Sequence, residues 1–111
     1  MDSALEGILR AGVVYPVNTS GSGDQTIRAA QTSKRWVVFQ LGLRASGATN
    51  VIVKSGSTEI TGAIPFTTQL VTIGDGKSVL WAGRQVNQAF VLNSSAVMDL
   101  DGWVLLAEVD A

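Results

Sequence analysis

Apolar and polar positions begin to alternate after Gly12, and the alternation holds for most of the chain. Residues 12–18 (GVVYPVN) form an extended run, which Pro16 confines to a sheet edge or a bend because it has no N–H to donate. A polar, glycine-rich loop is predicted at Asn18–Asp24 (NTSGSGD), then a short strand at Gln25–Ala30. The clearest strand is 35–45 (RWVVFQLGLRA), and Thr49–Lys54 reads as its hairpin partner across Ser46-Gly47-Ala48. Thr58–Ile73 is broken by Gly62 and Pro65, and further strands are expected at Ser78–Gly83, Gln88–Asn93 and Gly102–Val109. About eight strands, with turn signals roughly every 8–12 residues, predict an all-β domain: a jelly-roll-like β-sandwich of antiparallel strands.

Residues 2–10 (DSALEGILR) follow a different period. Ser3 and Glu6 are spaced as a capping box, and Leu5, Ile8 and Leu9 share one helical face. Nine residues do not hold a helix in water, because nucleation outweighs the few bonds gained. Residues 1–15 therefore read as an N-terminal arm and 16–111 as the sandwich. The arm either frays or orders when its apolar stripe docks on a neighbour.

The strands carry apolar residues on both faces. Strict alternation puts Val37, Phe39, Leu41 and Leu43 in the core and leaves Trp36 and Val38 outside. By the same rule Ile52, Val91, Trp103 and Leu105 also point outward. An isolated sandwich shows polar outer faces, so Trp36, Val38, Ile52, Val91, Trp103 and Leu105 are expected to form an oligomer interface, unless loops or the arm cover them.

Composition narrows the functional classes. Charged residues make up only 15% of the 111, below the quarter or so of an ordinary soluble domain, so few long polar side chains cover the surface. Eight basic and nine acidic residues give a net charge of −1, which offers no general attraction to nucleic acid. No run approaches the ~20 apolar residues of a membrane-spanning helix. The opening Met1-Asp2-Ser3 does not read as a secretory signal. With neither cysteine nor histidine, the usual nucleophile–base pairs and thiolate or imidazole zinc sites cannot be assembled. No catalytic residue, cofactor or metal site is expected.

Four candidates for chemistry remain, each with a plainer explanation. Asp99 and Asp101 in MDLDG could bind a cation or act in glycoside hydrolysis, but a polar strand start and turn is the stronger reading. SGSGD lacks the lysine and helix of a phosphate loop, and glycine's freedom at turns accounts for it. Lys34 and Arg35 beside Trp36 could pair with and stack on a nucleic acid. Trp36, Trp81 and Trp103 could form a sugar platform, although core or interface is the commoner fate of tryptophan.

GDQTIRAA, KRWVVFQLGLRASGATNVIVKSG, TEITGAIPF and QAFVLNSSAVMDLDGWVLLAEV, in that order over about residues 23–109, resemble a small β-sandwich module of tailed-bacteriophage virions. That module occurs in capsid decoration (cement) proteins and head-fibre proteins. Where the group often carries a Gly-Gly pair and a tyrosine, this chain has Asp101-Gly102 and Leu106. The resemblance implies a non-enzymatic homotrimer that sits on the outer surface of the virion and binds the major capsid protein. The arm residues Leu5, Ile8, Leu9, Val13, Val14 and Tyr15 would then reach the shell. A fibre or appendage module that recognises host carbohydrate is the alternative.

Overall fold

The computed structural model describes residues 12–110, in which all regular structure is β-strand. The strands are β1 (Val13–Arg28), β2 (Lys34–Ala45), β3 (Thr49–Ser55), β4 (Thr58–Glu59), β5 (Ile64–Phe66), β6 (Val71–Ile73), β7 (Trp81–Ala82) and β8 (Phe90–Asp110). All eight join one antiparallel sheet, and β8 is its hub. One edge of β8 pairs with β1 throughout; the other takes β2 at one end and β3 at the other. Beyond β2 lie β6 and β7, and beyond β3 lie β4 and β5.

Two long strands replace the shorter ones expected. β1 absorbs both early strands together with the predicted loop at 18–24, and β8 absorbs the last two. The boundary proposed at residue 15 therefore falls inside a strand: Val13, Val14 and Tyr15 pair with Leu106, Leu105 and Val104. The arm positions Leu5, Ile8 and Leu9 lie outside the described residues.

Length forces these strands to fold. At about 3.3 Å per residue β8 would span roughly 70 Å if straight, yet the longest dimension of the molecule is 41 Å. The bend lies where the β1–β8 register jumps, between Gly21–Met98 and Gly23–Ser94. Gly21 and Gly23 have φ of +125° and +77°, values that glycine adopts without the steric cost other residues meet. Opposite them Ser95, Ala96 and Val97 bulge out of β8, and such bulges sharpen strand bending. The β2–β3 connection, residues 46–48, turns at the same place. The pair is thus not a hairpin, because both strands line the same edge of β8 on either side of its corner.

The corner is laced with hydroxyl groups. The Ser46 N–H donates to the Asp99 carbonyl and the Asp99 N–H to Ser46 Oγ, both at 3.0 Å. The hydroxyls of Thr49 and Ser94 meet at 3.0 Å, Ser94 Oγ donates to the Ala96 carbonyl at 2.8 Å, and the Asn50 N–H donates to Ser95 Oγ at 3.0 Å. These bonds satisfy backbone groups that a bent ladder leaves unpaired.

Folding at the corner makes two layers. One holds residues 13–21 of β1, 98–110 of β8, β2, β6 and β7; the other holds 23–28 of β1, 90–94 of β8, β3, β4 and β5. Their inward residues share one core, with Leu41, Leu43, Val104 and Leu106 from the first and Val51, Val53, Phe90 and Leu92 from the second. At the end away from the corner the layers are fastened directly. Trp36 meets Phe90 edge-on with centroids 5.0 Å apart. Arg28 donates from Nε and Nη2 to Glu108 Oε1 at 2.9 and 2.6 Å, and its guanidinium lies 4.8 Å from the Tyr15 ring centroid.

A second irregularity corrects the facing of β2. Val38 pairs with Leu106 and Gln40 with Leu105, so Phe39 is an extra residue in the strand. An inserted residue reverses the alternation beyond it. Trp36 and Val38 therefore face the main core together with Leu41 and Leu43, and are only 3% and 0% exposed. Val37 and Phe39 pack on the other side in a small cluster with Ala107, Leu105 and Val109. The turn after β6 lies over this side: Gln40 Nε2 donates to the Gly74 carbonyl at 3.0 Å and the Gly76 N–H to the Phe39 carbonyl at 3.3 Å.

β2 and β8 approach most closely at two glycines. Gly102 has φ +152°, and a Cβ there would fall 1.9 Å from the Gly42 carbonyl oxygen. On Gly42 a Cβ would fall 2.6 Å from the Trp103 ring, which lies across it. Gly102→Ala is expected to lower unfolding stability by about 3 kcal/mol or more, read as a shift of the urea midpoint. Gly62→Ala, with nothing within 4 Å of the new Cβ, is the internal control and should stay within about 0.5 kcal/mol of the parent.

Candidate functional site

The six residues expected to form one outer interface separate. Trp36 and Val38 belong to the core, for the reason the Phe39 bulge supplies. Val91 does point away from Phe90 and Leu92, but it sits in register between Lys54 and Thr26 and is only 4% exposed. Ile52, half-buried, is on the outer side of the second layer. Trp103 and Leu105, also half-buried, are on the outer side of the first. Only those two adjoin.

Strand β1 supplies their neighbours. Val14 pairs with Leu105 and Pro16 with Trp103, so these four side chains form an apolar patch on the outer side of the first layer. Val14 is 62% exposed and Val13 49%. Among the described residues no strand pairs with the other edge of β1. Edges of this kind are usually guarded by charge, yet residues 11–23 contain no Asp, Glu, Lys or Arg. Pro16 is the one guard present, since it removes a donor from the ladder.

The four candidates for chemistry find structural positions. Asp99 and Asp101 line a recess of about 290 Å³ with Arg44, Ser46 and Thr68. Both carboxylates come from one strand two residues apart, so they occupy a single wall of the recess rather than facing across it. Among the described residues no three His, Cys, Asp or Glu side chains gather around a common point that would hold a metal ion. Gly21 and Gly23 of SGSGD form the corner of β1. Lys34 is paired with Asp110 at 2.6 Å, and Trp36 is buried with Nε1 donating to the Ala89 carbonyl at 3.2 Å, so its ring cannot stack on a base. The three tryptophans share no surface. Trp81 packs against the main core from β7, and Trp103 lies across Gly42 on the opposite side of the sheet.

Electrostatics concentrate at Asp24, next to the corner. Its carboxylate accepts from Asn93 Nδ2 at 2.8 Å and from Lys54 Nζ at 2.9 and 3.0 Å. These bonds, the Asn93 amide first and the Lys54 ammonium next, hold its carboxyl below the ordinary range. The cluster ties β1, β3 and β8 together across the second layer. Asp75 is lowered by the Lys77 and Ser78 amides, an arrangement that shapes the turn lying beside Leu105.

The chain matches no family model, and no curated protein matches it in sequence.

Because the Asp24 carboxyl is depressed by folding, the stability it contributes is present above the unfolded carboxylate range of about 4 and is lost as pH falls through the folded value. Asp24→Asn should therefore lower the urea midpoint at neutral pH, and the gap to the parent should narrow below about pH 4.

Proposed function

We propose that this protein is a structural component of a tailed-bacteriophage virion: a capsid decoration protein that binds the major capsid protein on the outer surface of the shell as a homotrimer, as the group it resembles does. The observation that carries this reading is the uncharged, apolar edge of β1, with Val13 and Val14 exposed and Pro16, Trp103 and Leu105 beside it. Residues 1–12, with Leu5, Ile8 and Leu9 at helical spacing, lead directly into that edge. An apolar segment next to an apolar edge suits attachment to a protein surface, and several copies together multiply the strength of each attachment. Capsid contact and assembly use no chemistry, and neither needs a cofactor.

Recognition of host carbohydrate has less support. It relied on a tryptophan platform, but Trp36 is buried in the main core, Trp81 packs against that core and Trp103 lies across Gly42 on the opposite side of the sheet.

The test is co-sedimentation with shells assembled from the major capsid protein of the same genome. Removal of residues 1–12 is expected to weaken shell binding at least tenfold while the urea midpoint stays near that of the parent. Trp103→Asp should also reduce shell occupancy. Unaltered occupancy in both variants would exclude the arm and its adjoining patch as the attachment surface.

A further inference from the structure

Among the described residues the ion pairs are Arg28 with Glu108, Lys34 with Asp110, and Lys54 with Asp24. Only in the last does the carboxylate also hold a side-chain amide. Asp24 Oδ1 accepts from Lys54 Nζ at 2.9 Å and from Asn93 Nδ2 at 2.8 Å, and Oδ2 accepts from Lys54 Nζ at 3.0 Å. An amine, a carboxamide and a carboxylate thus meet at one point.

Strand order explains how they meet. In the second layer β8 lies between β1 and β3; Asp24 is in register with Asn93, and Lys54 with Val91, two residues along. Lys54 and Asp24 therefore bridge β8 on its outer side, and Asn93 rises from β8 between them. The Lys54 side chain is only 15% exposed, so its ammonium is fastened beside the amide rather than swinging in solvent. Both nitrogens bond the same oxygen, Asp24 Oδ1, and so lie no farther apart than the two bond lengths together allow. Glu59 on β4 is the other register neighbour of Lys54, yet the bonds of the ammonium go to Asp24.

We propose that Lys54 and Asn93 join in an isopeptide bond, with Asp24 as the catalytic residue. The Asp24 carboxylate takes a proton from the Lys54 ammonium, and the freed Nζ lone pair attacks Asn93 Cγ. The Nζ–Cγ bond forms and the Cγ–Nδ2 bond breaks. Nζ gives up two protons in all, which Asp24 relays to the departing amide nitrogen, so an ammonium ion leaves and the carboxylate ends as it began. No electrons are gained or lost. Every contact Asp24 makes here falls within the ~2.6–3.2 Å reach that proton transfer needs. The product ties β3 to β8 and closes the chain between residues 54 and 93 into a loop, a restriction that acts mainly on the unfolded state. A chain without cysteine has no disulfide to do this. The inference does not depend on the virion reading. The pH-linked stability ascribed to Asp24 above belongs to the ion pair before the bond closes.

The test is the intact mass of the chain after prolonged incubation of the folded protein at neutral pH. The parent should be lighter than its sequence requires by one ammonia, and protease digestion should release a branched peptide joining Lys54 to Asn93. Lys54→Arg, which keeps the positive charge beside Asp24, should retain the full mass, and so should Asn93→Ala. Asp24→Ala should slow the loss by about a hundredfold or more. Glu59→Gln should react as the parent does. Urea unfolding of each variant verifies that the sheet has formed. Full sequence mass in the folded parent overturns the proposal. Ammonia loss that persists in Lys54→Arg also overturns it, because an asparagine cyclising onto its own backbone loses the same group. An unchanged rate in Asp24→Ala removes Asp24 from the reaction.

Discussion

Three long stretches of chain, 13–28, 34–55 and 90–110, run side by side and all bend at one corner. Their bending converts a single hydrogen-bonded sheet into two layers with a shared core. If β8 ran straight, Phe90 and Trp36 would lie at opposite ends of a long ribbon, and neither face would be covered. The corner therefore has to supply backbone freedom and replacement hydrogen bonds together. Gly21 and Gly23 supply the first. Ser46, Thr49, Ser94 and Ser95 supply the second, with Thr49 and Ser94 almost fully buried yet paired with each other. A buried hydroxyl without a partner would cost about 1–3 kcal/mol, so this pairing is a condition of the fold.

The opposite end is held by different means. Trp36 against Phe90 contributes apolar contact, and Arg28 joins Glu108 while covering Tyr15. The ion pair is partly exposed, at 32% and 17%, so its share of stability is modest, and the aromatic and aliphatic contacts carry more. The corner fixes which residues face each other, and the open end keeps the layers closed. The Phe39 bulge belongs to this arrangement, since without it Trp36 would point away from Phe90.

Much of this was legible in the sequence. The all-β class, the antiparallel pattern and the main inward residues Leu41, Leu43, Val51, Val53, Phe90, Leu92, Val104 and Leu106 follow from period-two alternation. What escaped was each place where the alternation is interrupted. A glycine-rich polar stretch such as NTSGSGD reads equally as a loop or as a bent strand, because both need positive φ and little side chain. A bulge has no local signature in RWVVFQLGL, so strict alternation placed Trp36 and Val38 on the wrong side. The β2–β3 connection looked like a hairpin because short turns normally return a strand beside its predecessor. Here a third strand, β8, takes the pairing edge of both. The edge of β1 could be suspected from Pro16 alone, but its neighbours Trp103 and Leu105 are more than eighty residues away.

The low charge content takes on a different meaning once the layers are placed. It first suggested a broad apolar face awaiting a partner. Much of that face is already covered: Phe39 and Val37 are buried beside β7 and the turn at Gly74–Ser78, Gly76 lies beside Leu105, and Trp103 covers Gly42. The chain has thus used its own loops and rings on its broad surfaces, where apolar area is largest. Its β1 edge was left without charges, whereas the turn between β6 and β7 carries Asp75 and Lys77. An edge strand exposes backbone donors and acceptors as well as side chains, so it is the surface that gains most from a partner chain and the one that soluble proteins ordinarily protect. Protection here is a single proline at the start of β1. The sparseness of charge is therefore most marked along the β1 edge, where residues 11–23 carry none and Val14 and Pro16 adjoin the half-buried Leu105 and Trp103.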